Sequence, residues 1–142
     1  MGMPRRTHDL TIHGGTYRSF EWFWAEDGSM PGLDSFERLP RHAQDDFLAS
    51  VEHWGDVEIG KRAAQSRVNQ ENDDPLIVAI KAGKHRFTAF REESGPAWIV
   101  YAHYLKEGMK RDKTGDRAVE RTIKARTIYF QNVKSGKYYE RG

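Results

Sequence analysis

The sequence predicts an α+β domain, in which a small antiparallel sheet of about four strands is packed by two N-terminal helices and one C-terminal helix. Short apolar segments separated by tight turns lie between residues 76 and 105, as in an antiparallel sheet. Segments with helical periodicity precede and follow them. The chain has 142 residues, which suits a single domain with its own core.

The sequence excludes several kinds of chemistry and location. There is no cysteine, so disulfides, thiol chemistry and cysteine-ligated metals are excluded. No apolar run approaches the roughly 20 residues that a membrane-spanning helix needs, and the N-terminus lacks the core of a signal peptide. We therefore expect a cytoplasmic protein with no membrane partner, and nothing in the sequence predicts a cofactor or a metal.

The first quarter of the chain predicts a strand over residues 17–25, preceded by a short edge strand. Residues 1–15 are expected to be less ordered, with one short edge strand around residues 10–13. Aromatic residues alternate along residues 17–25, a pattern typical of a strand. Asp27-Gly28-Ser29 then predicts a turn.

Two helices are predicted next. The first covers residues 34–39, with Asp34 or Ser35 as its N-cap. The second covers residues 41–54 and is amphipathic, because apolar side chains recur at helical spacing. They are Ala43, Phe47, Val51 and Trp54. Residues 56–75 are polar and predict a loop, within which residues 60–68 could form a short helix.

The predicted sheet is a meander of strands at residues 76–81, 85–92 and 97–105. Gly83 suits the first turn, because glycine tolerates a positive φ. The third strand is apolar on both faces, which predicts a central position in the sheet.

The last predicted element is a helix over residues 115–133. Its apolar stripe contains Val119, Ile123, Phe130 and Val133. Arg126 falls within this stripe, where a guanidinium either reaches the sheet rim or is satisfied by a carbonyl. Residues 134–142 are expected to be less ordered.

Charge is unevenly distributed, although 23 Lys and Arg nearly balance 21 Asp and Glu. Residues 106–126 contain eight Lys or Arg against four Asp or Glu. A local basic surface suits a nucleic acid or an acidic protein partner. A solvated helix face accounts for the same charges equally well.

Three segments resemble the RelE/ParE superfamily of toxins from toxin–antitoxin systems, and the HigB-like branch with its phage-derived members in particular. Residues 83–90 (GKHRFTAF) resemble the family's G-x-Y-R-V-x-Y-F hairpin, with Arg86 at the arginine. Residues 99–107 (IVYAHYLKE) resemble its I-V-L-L-H-x-F-x-K-K strand. Residues 116–130 resemble its last helix, with Arg126 at the arginine. Lys81 stands where the family has arginine, and Glu107 replaces the second lysine of the K-K pair.

The resemblance implies a RelE-like fold and an endoribonuclease that cleaves mRNA in the ribosomal A site. Its partners would be a cognate antitoxin protein and mRNA on the ribosome, and it would need no cofactor. Cleavage by side chains requires a base for the 2′-hydroxyl, a cation beside the phosphate and an acid for the leaving oxygen.

The candidate catalytic residues are basic. Arg86 would stabilise the phosphate, and Lys106 and Lys110 would add positive charge. The ordinary pKa of a histidine suits His103 to acid–base work near neutrality, although its place on an apolar strand favours a core histidine that supports the last helix. The candidate RNA-binding residues are Lys84, Arg111, Arg126 and Tyr129, of which Tyr129 could stack on a base.

Two other functions remain open at this point. The ParE branch shares the fold and inhibits DNA gyrase by binding, without cleaving RNA. A plain binding module would use the same basic surface only to hold an acidic antitoxin or RNA.

Overall fold

The computed structural model describes residues 10–93, 95–108 and 113–136, which form one mixed sheet with helices on both faces. The strands are β1 (Thr11–Gly14), β2 (Ser19–Trp22), β3 (Val68–Asn72), β4 (Ile77–Ala82), β5 (His85–Arg91) and β6 (Ala97–Leu105). The helices are α1 (Pro31–Glu37), α2 (Arg41–Gly55) and α3 (Lys113–Lys134). No helix in these ranges combines the length and the hydrophobicity that crossing a membrane requires.

The spatial order of the six strands is β1-β2-β6-β5-β4-β3. Neighbouring strands are antiparallel except for β2 and β6, which are parallel. The strand β6 therefore lies inside the sheet, which confirms its predicted central position.

The predicted sheet of about four antiparallel strands behind two N-terminal helices is wrong. The sheet has six strands and is mixed, and two of its strands precede α1 and α2. The strand β3 lies in the segment for which the sequence predicts a loop. That prediction is wrong because the sequence of β3, VNQEN, is polar and only Val68 is buried. Residues 60–67 form turns and bends instead of a helix.

The local predictions are closer to the structure. The helix α2 starts at the predicted residue and ends one residue later, and the three strands of the meander are confirmed to within one residue at each end. The helix α1 begins three residues before its predicted start, because Pro31 fits the first turn of a helix, where its missing N–H costs nothing.

One face of the sheet packs on α1 and α2 through aromatic rings. Phe47 of α2 is fully buried and lies 5.6 Å from Trp22 of β2 and 4.6 Å from Phe87 of β5, measured between ring centroids. Phe36 of α1 joins them, 5.5 Å from Phe47. This cluster fixes α1 and α2 against the middle of the sheet.

The opposite face packs on α3. Tyr129 of α3 lies 5.4 Å from Phe90 of β5 and 6.3 Å from Phe23, which follows β2. Thr122 donates a hydrogen bond of 2.7 Å to Thr88, and both side chains are fully buried. This buried hydrogen bond joins α3 to β5.

Candidate nucleic-acid interface

Strand register brings basic side chains together at one end of the sheet. Lys81 of β4 lies opposite Arg86 of β5, which in turn lies opposite Tyr104 of β6. Residues directly opposite each other share a face of the sheet, with Cβ atoms about 4.5–5.5 Å apart. Thr88 lies two residues beyond Arg86 and contacts α3, so these side chains occupy the α3 face.

Glu71 and Lys106 complete this group. The hydroxyl of Tyr104 donates a hydrogen bond of 3.3 Å to Oε1 of Glu71. Glu71 sits where the register between β3 and β4 shifts, and such a bulge redirects a side chain. The charges of Arg86, Glu71 and Lys106 all act on Lys81. We call Lys81, Arg86 and Lys106, with Glu71 and Tyr104, the cationic cluster.

Arg86 is held by the backbone of its own hairpin. Its Nη1 donates hydrogen bonds to the carbonyl oxygens of Gly83 and His85. Its Nε is buried and has no partner within the described residues. Burial lowers the pKa of Arg86, whereas Tyr104 and Glu71 oppose that shift. The hairpin backbone thus positions the guanidinium of Arg86, whose planar group of donors is the kind that pairs with an oxyanion.

Lys81 is also fixed, and its charge is less stable than that of an exposed lysine. Its Nζ donates a hydrogen bond of 2.6 Å to the carbonyl oxygen of Gln65. Burial is the largest cause that lowers the pKa of Lys81, followed by the charge of Arg86, while Glu71 acts in the opposite direction. Lys81 therefore releases a proton more readily than an ordinary lysine.

His103 faces away from the cationic cluster. It neighbours Tyr104 in β6, and successive side chains of a strand point to opposite faces. Nε2 of His103 lies 2.9 Å from Nδ1 of His85, and its ring lies 5.0 Å from Phe87 on the α2 side. Burial, and then the neighbouring His85, lowers the pKa of His103. The sheet thus separates this histidine from Arg86.

The other predicted site residues are dispersed. Lys84 is exposed in the β4–β5 turn beside the cluster, where its carbonyl oxygen accepts a hydrogen bond from the Lys106 N–H. Arg126 lies over the ring of Phe130, 4.6 Å from its centroid. Tyr129 is only 2% exposed and packs in the core. Lys110 and Arg111 lie outside the described residues.

Three members of the cluster were not among the candidates from sequence. Lys81 could have been found, because a two-residue hairpin turn at Gly83-Lys84 places Lys81 opposite Arg86. Tyr104 follows from Arg86 once the β5–β6 register is known. Glu71 gave no signal, because its position depends on a bulge in a polar edge strand.

No model of a protein family matches the chain, and no curated protein sequence matches it.

Proposed function

We propose that the protein is the toxin of a type II toxin–antitoxin pair, and that it cleaves mRNA on the ribosome with the cationic cluster. One observation supports this most directly: Lys81 and Arg86 lie opposite each other on one face of the sheet, and the charges of Glu71 and of Lys106, which follows β6, also act on Lys81. The resemblance of residues 83–90 and 99–107 to RelE/ParE toxins points to the same strands.

The cluster contains the groups that RNA cleavage by side chains needs. In our proposal, the carboxylate of Glu71 takes the proton of the ribose 2′-hydroxyl, and the 2′-oxygen then attacks the phosphorus atom. Arg86 and Lys106 stabilise the extra negative charge of the pentavalent phosphate. Lys81 gives a proton to the 5′-oxygen as its bond to phosphorus breaks, which leaves a 2′,3′-cyclic phosphate and a 5′-hydroxyl.

The environment of Lys81 fits the role of acid. An ordinary lysine holds its proton too tightly to transfer it well near neutral pH. Burial and the charge of Arg86 lower the pKa of Lys81 and bring it closer to the working range. The hydrogen bond from Tyr104 holds the Glu71 carboxylate on the same face as Lys81.

The partners follow from the proposal. Translated mRNA would be the substrate, and a cognate antitoxin protein would mask the basic surface in the cytoplasm. The antitoxin would need acidic side chains, because the cationic cluster carries more positive than negative charge.

The experiment is induction of the chain alone in a bacterial host, with growth and primer extension on a translated and an untranslated copy of one message. We expect growth arrest and new 5′ ends on the translated copy only. Arg86→Gln should reduce cleavage about 10²–10³-fold, the usual loss when a preorganised donor is removed from a charged transition state. Lys124→Gln on the exposed side of α3 is the matched control and should cleave normally.

Other outcomes would count against the proposal in distinct ways. Growth arrest without new 5′ ends would indicate a target such as DNA gyrase, which is bound and not cleaved. Normal growth with a folded, abundant protein would leave a binding domain without toxin activity. Cleavage that survives Arg86→Gln and Lys81→Ala would remove the cationic cluster from the reaction.

A further inference from the structure

A second cationic site lies at the other end of the sheet. A cavity of about 310 Å³ is lined there by two arginines, Arg18 and Arg91, and by Tyr17, Ile59, Pro96 and Trp98, among others. Arg91 is five residues from Arg86 along β5, so the two sites are roughly 17 Å apart along the strand. The cavity therefore does not belong to the cationic cluster.

Arg18 is held in place before any ligand arrives. Its Nη1 donates hydrogen bonds to the carbonyl oxygens of Trp54, at 3.1 Å, and Val57, at 2.5 Å. Its guanidinium carbon lies 5.1 Å from the centroid of the Trp54 ring. These contacts occupy one nitrogen and one face of the guanidinium. The remaining N–H groups have no acceptor within the described residues.

Arg91 is the last residue of β5 and lines the cavity beside the β5–β6 turn. Its Nε donates a hydrogen bond of 3.2 Å to the carbonyl oxygen of Gly95, which fixes the base of the side chain. The two terminal nitrogens of its guanidinium have no protein acceptor in the part of the chain that the structure describes. Like Arg18, Arg91 thus presents a positioned donor group.

The two charges are not neutralised within the described residues. Neither arginine forms an ion pair with any of them, since the salt bridges seen there involve other basic residues. Burial lowers the pKa of Arg18, and the positive charge of Arg91 lowers it further. Two like charges beside one cavity repel each other, and a bound anion would relieve that repulsion.

From this geometry we infer that the cavity between Arg18 and Arg91 binds a phosphate monoester dianion. Two guanidinium groups carry two positive charges, which a phosphate monoester matches and a single carboxylate does not. Arginine forks also pair with phosphate oxygens through two hydrogen bonds at once. The ligand could be free phosphate or the phosphate of a nucleotide, and both have this chemistry.

The rim of the cavity favours an organic group on the phosphate. Tyr17 is 39% exposed and Ile59 is 66% exposed, although both are large apolar side chains. Such residues beside an anion site would contact a base or another apolar substituent. A nucleotide should therefore bind more tightly than inorganic phosphate.

The test is an NMR titration of the full chain with sodium phosphate and with AMP. Sodium chloride is added to keep the ionic strength constant, and the titration is done at pH 8, where the phosphate is doubly charged. We expect saturable shifts in the Nε–H signals of Arg18 and Arg91 and in the backbone amides of Tyr17 and Gly95. Arg91→Gln should weaken binding about tenfold, the value of one charged hydrogen-bonded contact. Arg91→Lys should fall between this variant and the natural chain, because it keeps the charge without the fork.

Two further variants make the result specific. Lys124→Gln removes an exposed charge elsewhere and should leave phosphate binding unchanged. Arg86→Gln should also leave it unchanged, so a failure of the phosphate site and a failure of the proposed RNA cleavage can be told apart. Arg91 is the better position to change, because loss of Arg18 would also release the end of α2.

Each remaining outcome decides the inference. Equal affinity for phosphate and AMP would support the anion site and assign it to free phosphate. Shifts spread over all surface cations, or binding that is unaffected by Arg91→Gln, would overturn it. Binding of a glutamate-containing peptide without binding of phosphate would also overturn it and assign the cavity to a protein partner.

Discussion

Acid should destabilise the fold through the hydrogen-bonded pair of His85 and His103. Their ring nitrogens lie 2.9 Å apart, and the rings are stacked with centroids 5.2 Å apart. One N–H can be shared across this distance, but two protonated rings would place two donors and two charges against each other. His42 of α2 and Arg86 add positive charge near His85.

The sign of the effect follows from the direction of the pKa shifts. Burial, and then neighbouring positive charges, lowers the pKa of both histidines in the folded chain. The unfolded chain therefore binds more protons below its ordinary histidine pKa of about 6.5. Stability is complete above that pH and is lost as the pH falls towards the lowered folded values. The pair titrates as a unit, so the loss belongs to both residues together.

The size of the effect has an upper limit. Each histidine that stays neutral in the folded state can change the free energy of unfolding by at most about 1.4 kcal/mol per pH unit. Both rings are partly exposed, so solvent screens the interaction and reduces the effect below this limit. We expect a total loss of about 1–3 kcal/mol between pH 7 and pH 5, which is large against a typical stability of about 5–15 kcal/mol.

Urea denaturation curves at pH 7, 6 and 5, monitored by circular dichroism, measure this loss. The chain has six histidines, so the effect must be assigned by comparison with His85→Gln/His103→Gln, in which neither side chain titrates. His53→Gln, at the end of α2, controls for a histidine outside the pair. If the double variant loses as much stability on acidification as the natural chain, the pair is not the cause and the reasoning is refuted.

Two further substitutions test the packing that supports the sites. Phe47→Ala should lower the free energy of unfolding by about 3–5 kcal/mol, because the ring is fully buried among other aromatic residues. Urea denaturation measures this loss, and Phe47→Leu is the control, for which we expect a smaller loss. A loss below about 1 kcal/mol would contradict the role given to this ring. Gly15→Ala should lower the melting temperature, because a Cβ atom there would lie 2.6 Å from the backbone of Gly55, whereas Gly14→Ala meets nothing within 4 Å and serves as the control. Equal melting temperatures for the two variants would show that the contact between Gly15 and Gly55 yields without cost.

Local patterns predicted much of the β4–β5–β6 meander. Its turns are short, and Gly83 adopts the positive φ of 61° expected of a glycine in such a hairpin. Pairing between consecutive strands needs only neighbouring residues, so composition and turn chemistry determine it. The same holds for α2, whose buried positions recur at helical spacing.

The edges of the sheet depend on information that local patterns lack. The strand β3 is polar because it lies at an edge, so its alternation is too weak to separate it from a loop. The parallel contact of β2 with β6 joins residues 19–22 to residues 97–100, and no local pattern specifies a pairing over that separation. These two features account for the wrong strand number and the wrong sheet type.

The candidate site could be predicted only where it follows a hairpin. Arg86 and Lys106 were chosen from the sequence, and register brings Lys81 and Tyr104 to them. His103 was a candidate for the same site because it is close in sequence. Alternation along β6 instead places His103 on the face that α2 covers, opposite the face that carries Arg86 and α3.

Because β2 pairs with β6, the sheet cannot be completed until late in the synthesis of the chain. The strand β2 lies between β1 and β6, so one of its two edges has no neighbour until residues 97–100 have been made. A chain interrupted before that point leaves an open edge on β2 and another on β5, next to Phe20 and Trp22, which are buried in the complete fold. Open edges of this kind pair with other chains. Fragments released by ribosomes that stall before β6 should therefore aggregate, because β6 is the strand that covers both of these edges.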